Sequence, residues 1–214
     1  MQFTHVIWDF NGTLMDDVDV AVASVNDMLD KRGMQRTTRA EYVHMITSPI
    51  IEYYKKIFDL RTVSFEDIQV EFLMGYEKRI GRAGLLPGVA QALARFSKEG
   101  LRQCVISSFE QGRLRRMVED LGIGGYFSEV SGADNTRAEG KVERGRDWLR
   151  RSGAEPRQVL VIGDLVHDWE MAQALGAGCI LIAAGHQHRR ALERCGVPVF
   201  DNAGQMLDDL FGKE

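Results

Sequence analysis

Two short elements place carboxylates beside glycine turns. Asp9 follows the apolar run His5-Val6-Ile7-Trp8 and leads into Phe10-Asn11-Gly12-Thr13. Asp164 follows Val159-Leu160-Val161-Ile162-Gly163 and leads into Leu165-Val166-His167-Asp168. If both runs are strands of one sheet, they deliver Asp9, Asp164 and Asp168 to the same edge. Carboxylates that share a site repel one another unless a cation compensates them, and hard oxygen donors of this kind suit Mg²⁺. Each piece also has a plainer explanation. Asn11-Gly12 is a strong turn signal, and Asp168 is a first-turn acid of the sort a helix dipole favours. Ser107 and Ser108 close the run that starts at Cys104, just before a helix expected near Gln111. Small hydroxyls there suit a phosphate, although helix capping alone is the simpler explanation. Lys141, after Gly140, offers an ammonium to an anion, whereas most single lysines only solvate a surface.

The elements that must position these groups are legible as alternation. Strand-length runs occur at His5 to Phe10, Cys104 to Ser108, Val159 to Ile162, Cys179 to Ala183 and, weakly, Val197 to Phe200. Between most of them lie helical spacings: Val89, Ala92, Leu93 and Phe96; Leu114, Met117, Val118 and Leu121; Trp169, Ala172 and Leu175. Apolar strands separated by amphipathic helices predict an α/β fold with a doubly wound parallel sheet. From Val18 to about Arg82 the rhythm breaks into helical patterning alone, with Gly33 as a C-cap and Gly81, Gly84, Pro87 and Gly88 marking the return. This reads as a helical insert directly after the first strand, where ligands of open α/β sheets bind and where an insert acts as a lid.

Composition narrows the function classes. The 214 residues are 44% hydrophobic and 27% charged, close to the averages of about 45–50% and about 25% for soluble globular proteins. A formal charge of −4 gives no electrostatic footprint for nucleic acid or an anionic membrane. No apolar stretch reaches membrane-span length and the first residues lack signal-peptide character, so a cytoplasmic protein is expected. Cys104, Cys179 and Cys195 lack zinc-like spacing and read as buried free thiols.

Taken in order, Asp-x-x-Gly-Thr at residues 9 to 13, Ser107, Lys141 and Gly-Asp-x-x-x-Asp at residues 163 to 168 match four motifs of the haloacid dehalogenase superfamily. The chain resembles the phosphatase branch with a helical cap after the first strand, and cap position and length are similar to the phosphoglycolate phosphatase-like subgroup. The resemblance implies a core domain at residues 1–16 and 85–214 and a cap domain at 17–84. It implies Mg²⁺-dependent hydrolysis of a small phosphorylated metabolite, with phosphoglycolate the subgroup's typical substrate. Asp9 would be the nucleophile that forms an aspartyl phosphate, its other oxygen binding Mg²⁺ beside Asp164 and the main-chain carbonyl of Asn11. Ser107, Ser108 and Lys141 would hold the phosphoryl oxygens, and Asp168 would belong to the metal site, orienting Lys141 or a water there.

One departure stands out. Phosphatases of this superfamily carry an Asp two residues after the nucleophile, as general acid and base, and this chain has Asn11. An amide cannot titrate, and lost acid–base help costs about 10²–10⁴ in rate, roughly 3–5 kcal/mol of barrier. A slow phosphatase is therefore expected, the alternative being a non-catalytic phospholigand-binding or regulatory protein. Elsewhere, His186 and His188 beside Arg189 and Arg190 read as an exposed helix start rather than a second metal or phosphate patch. Arg113, Arg115, Arg116, Arg144, Arg146, Arg150 and Arg151 read as solvated helix faces. Tyr53 and Tyr54 fit core packing as well as substrate contact.

Overall fold

The computed structural model describes residues 2–134 and 140–212; the outermost positions of the predicted core range, 1 and 213–214, lie outside the described residues. Among the described residues there are six strands: β1 (His5–Trp8), β2 (Arg102–Glu110), β3 (Phe127–Ala133), β4 (Val159–Gly163), β5 (Gly178–Ile182) and β6 (Val199–Phe200). They form one sheet in the order β3-β2-β1-β4-β5-β6, and every pairing is parallel. Trp8 at the end of β1 lies beside Val105 of β2 and Ile162 of β4. The order reverses between β1 and β4, and ligands of such sheets sit at that switch point, outside the carboxyl ends of the strands.

Alternation along the strands builds a core on each face. Val6, Trp8, Val105 and Ile162 pack against Leu93, Phe96, Leu114 and Met206 from α5 (Val89–Lys98), α6 (Gln111–Asp120) and α10 (Ala203–Phe211). Ile7, Ile106, Val161 and Leu181 face the other way, onto Trp148, Met171 and Ala172 from α7 (Lys141–Ser152) and α8 (Val166–Leu175), with α9 (Arg189–Glu193) on the same side through Leu192. Burial of apolar surface on both faces is why these strands read as nearly continuous hydrophobic runs.

Between β1 and α5 the chain forms α1 (Val18–Lys31), α2 (Arg39–Met45), α3 (Ile50–Tyr54) and α4 (Phe65–Ile80). These helices share a core of their own, in which Val25, Met28, Tyr53, Tyr54 and Ile68 are buried. α1 ends as its spacing predicts: Gly33 takes φ +63° and the Met34 N–H returns to the Leu29 carbonyl.

Several details differ from the sequence reading. β3 was not expected, because Phe127-Ser128-Glu129-Val130-Ser131-Gly132-Ala133 has no apolar run; it is an edge strand with β2 as its partner, and most of its residues stay partly exposed. α2 was not expected either, although Thr38 and Glu41 form a reciprocal capping box at its start. β2 continues through the two serines to Glu110, so Ser107 and Ser108 lie within the strand rather than at its end, where its pairing with β3 shifts register between Ile106 and Glu110. β6 is confined to Val199 and Phe200. Cys104 and Cys179 are buried free thiols and Cys195 is a half-buried one. Among the described residues no helix is long and apolar enough to cross a membrane.

Candidate active site

β1 and β4, side by side, deliver the first two carboxylates. The Asp9 N–H donates to the Ile162 carbonyl at 2.8 Å, continuing the ladder one residue past β1. Lys141, the first residue of α7, donates from Nζ to Asp9 Oδ1 at 2.5 Å and to Asp168 Oδ1 at 2.6 Å. All three side chains are buried, at 3%, 7% and 0% exposure for Lys141, Asp9 and Asp168. Asp168 does two things at once. Its Oδ2 accepts the N–H groups of Asp164 (3.1 Å) and Leu165 (3.0 Å) at the start of α8, while Oδ1 holds the lysine. One carboxylate thus serves the start of α8 with one oxygen and holds Lys141 with the other. Gly163 makes room for it, since a Cβ there would stand 2.1 Å from the Asp168 carboxyl carbon.

Asp164 is fully buried: Thr13 Oγ1 donates to its Oδ1 at 2.8 Å and the His186 N–H to its Oδ2 at 2.7 Å. One carboxylate oxygen each from Asp9, Asp164 and Asp168 lie within 4.8 Å of one another. Three hard oxygen donors with a single ammonium among them fit Mg²⁺ and do not fit a soft metal. Asp9, Asp164 and Asp168, with the Asn11 carbonyl, are the groups that would hold it.

The charges are far from their ordinary balance. Burial pushes the Asp9 carboxyl up to about 6, against the pull of Lys141 and with the push of Asp168. Burial likewise raises Asp164, to about 8, with His186 opposing and the neighbouring Asp9 and Asp168 reinforcing it. Lys141 resists its own burial because Asp168 and Asp9 hold it charged. The folded chain therefore keeps protons on Asp9 and Asp164 that the unfolded chain has released. Their contribution to stability is complete below the ordinary carboxylate value of 3.8 and is lost as pH rises through about 6 and then about 8. In chelator the melting temperature is expected to fall between pH 5 and pH 8. Mg²⁺ should raise it more at pH 8, where the carboxylates are ionised and free to bind the ion; an equal Mg²⁺ effect at both pH values would contradict this reading of the cluster.

Beside the carboxylates lies a second buried network. Asp17 Oδ1 accepts the Gly12 N–H at 2.8 Å and His186 Nε2 at 3.1 Å; its Oδ2 accepts the Tyr76 hydroxyl at 2.6 Å and Asn11 Nδ2 at 2.9 Å. Asn11 Nδ2 also donates to the Tyr76 hydroxyl at 2.8 Å, and Tyr42 pairs with His186 Nδ1 at 2.9 Å. Burial alone would raise Asp17, but the His186 imidazolium and the hydrogen bonds from His186, Tyr76 and Asn11 lower it, so it stays ionised. His186 is held charged, up to about 9, because Asp17 and Asp164 outweigh its burial.

These contacts correct the sequence reading. His186 is not part of an exposed helix start: it is buried against two acids, and only His188 caps α9, accepting the Arg190 N–H. Arg144 is half-buried, its guanidinium donating to the Ser107 carbonyl at 2.9 Å, and Arg113 pairs with Glu77 of α4 at 2.7 Å. Asp17 and Tyr76 were missed altogether. Asp17 precedes α1 and reads as a cap, yet it makes no cap bond to that helix because its side chain turns into this network.

Ser107 is buried, its hydroxyl accepting the Phe109 N–H at 3.1 Å, while Ser108 opens onto a cavity of about 600 Å³. The cavity lies between the helical insert and the carboxyl edge of the sheet, and it reaches Lys141 and His186.

Comparison with known proteins agrees with this geometry. A family model described as haloacid dehalogenase-like hydrolase matches residues 6–182. A phosphoglycolate phosphatase of Pseudomonas fluorescens is 24% identical over 94% of this chain and 78% of its own, and one of Aliivibrio fischeri is 22% identical over 96% and 92%. A haloacid dehalogenase-like family hydrolase from Streptococcus pneumoniae superposes with a TM-score of 0.82 at 18% identity, covering 98% of this chain and 99% of its own.

Proposed function

Since the chain belongs to the haloacid dehalogenase-like hydrolase family, we propose that it is a Mg²⁺-dependent phosphomonoester hydrolase that works through Asp9. The observation that carries this reading is the placement of Asp9 at the switch point of the sheet, bonded to a buried ammonium that lines the cavity and grouped with two further buried carboxylates. The relatives named phosphoglycolate phosphatase support the reaction class.

In this reading an Asp9 oxygen attacks phosphorus, the organic alcohol leaves, and water then cleaves the aspartyl phosphate to inorganic phosphate. Lys141 and the hydroxyls of Ser107 and Ser108 bind the phosphoryl oxygens. Asp168 is a positioning residue: anchored by two backbone N–H groups, it fixes the ammonium that faces Asp9. Mg²⁺, when bound, supplies compensation for the negative charge of the phosphoryl group. Residues 1–16 and 85–214 form the catalytic core, and residues 17–84 form a cap that keeps water from the reaction and restricts substrates to small metabolites. The Asn11 amide is too weak an acid to protonate the leaving oxygen, and the hydrogen bonds its Nδ2 donates to Asp17 and Tyr76 keep it in a fixed orientation. Turnover is therefore slow.

The test is release of inorganic phosphate from phenyl phosphate. It is expected with Mg²⁺, lost on chelation and recovered when Mg²⁺ is returned. Release that persists in chelator would contradict the reading. An absence of release, together with stabilisation by a phosphorylated compound, would favour the non-catalytic binding role that Asn11 suggests.

A further inference from the structure

We infer that the substrate's organic portion is uncharged and largely apolar, so that this chain discriminates against phosphorylated carboxylic acids such as phosphoglycolate. The inference rests on the hydrolase reading, because it describes what occupies the cavity beyond the phosphoryl position.

The cavity that reaches Lys141 is walled on the insert side by Tyr42, Ile46, Ile50, Ile51 and Phe65. A smaller space of about 150 Å³ shares Tyr42, Ile46, Ile50 and Ser108 with it and extends the apolar wall to Phe72 and Leu73. Such walls bind apolar groups by removing their surface from water.

Charge decides the rest. Among the described residues, every basic group lining the larger cavity already has an acidic partner. Lys141 lies between Asp9 and Asp168, His186 Nε2 faces Asp17, and His167 Nδ1 faces Glu170 at 3.0 Å. In the smaller space Arg113 is paired with Glu77. The phosphoryl group takes the charge that Lys141 and the metal site offer, and nothing comparable remains for a second anion. Glu66 points the same way, as an acid lining the larger cavity, whereas Glu143, which also lines it, is paired with Arg146 at 3.4 Å. Glu66 and Asp67 also occupy the first turn of α4, where the helix end would otherwise attract an anion. A substrate carboxylate would be partly desolvated against isoleucines and phenylalanine and held near like charges, both of which are unfavourable. Thr47 and Ser48 on the same wall leave a place for a neutral hydroxyl.

The test uses two matched pairs: phenyl phosphate against para-carboxyphenyl phosphate, and propyl phosphate against phosphoglycolate, with Mg²⁺. The uncharged member of each pair should have a kcat/KM at least about tenfold higher, and Glu66→Lys should narrow the ratio. Binding of phenylphosphonate and para-carboxyphenylphosphonate, measured by calorimetry with Mg²⁺, supplies a readout that needs no turnover. Tighter binding of phenylphosphonate without hydrolysis of any phosphate would sustain the inference while removing the hydrolase reading. Equal or better turnover or binding of the carboxylated member would overturn the inference and leave the hydrolase reading intact. Failure of both phosphonates to bind would overturn it as well.

Discussion

Asp9→Asn is expected to lower phosphate release by at least about 10⁴-fold while leaving the fold intact. The magnitude follows from removing a nucleophile whose attack no neighbouring group replaces. The preserved fold follows from the geometry, since an asparagine oxygen can still accept from Lys141 Nζ, and Asp168 keeps that ammonium paired. Ionising Asp9 in its buried position is unfavourable, as its upward shift to about 6 records. Removing that charge should hold the melting temperature near neutral pH at or above the wild-type value. Circular dichroism melts beside the phosphate assay separate the two effects. Lost activity accompanied by a collapsed melting temperature would mean that Asp9 serves the fold and not the chemistry.

Asn11→Asp is expected to raise turnover of phenyl phosphate, by as much as about 10²–10⁴-fold if acid–base help is fully restored. The surroundings set a condition on that gain. Asn11 Nδ2 donates to Asp17 Oδ2 at 2.9 Å, and Asp17 is held ionised. An aspartate at position 11 can occupy this place only with a proton, because two charged carboxylates so close repel. Its pKa should therefore lie above the ordinary carboxylate range, which is what protonating a leaving oxygen near neutral pH requires. The gain should be largest on the acid side of neutrality and fade as pH rises. Asn11→Asp with Asp17→Asn restores one amide and one carboxylate with positions exchanged, and should recover any stability that the single variant loses. The pH profile of kcat for the single variant checks this. An unchanged or lower rate at every pH would show that Asn11 is not what limits the reaction.

The groups that converge on the site were legible because each is attached to a strong local pattern. Asp9 and Asp164 follow near-continuous apolar runs, and Lys141 and Asp168 open helices, so a parallel sheet brings all four to one edge. What stayed hidden depends on contacts far apart in sequence. Asp17 reads as a helix cap, and His186 begins a polar stretch that ends in arginines. Their burial arises from Tyr42 and Tyr76, which the insert brings against the core. β3 escaped notice because an edge strand needs no continuous hydrophobic face, whereas Thr38 and Glu41 did carry the signature of α2. Arg144 resembles its neighbouring surface arginines in composition, and the Ser107 carbonyl that it meets belongs to another element.

The central claim is that the Asp9 carboxylate accepts the phosphoryl group. With an amide at position 11, water attack on the aspartyl phosphate lacks a general base, so the intermediate should accumulate during turnover of phenyl phosphate. Acid quenching followed by peptide mass analysis should find one phosphoryl group on Asp9, absent from Asp9→Asn and lost as inorganic phosphate when the sample is returned to mild base. Phosphate release with Asp9 unmodified throughout, or the phosphoryl group on another side chain, would contradict the account.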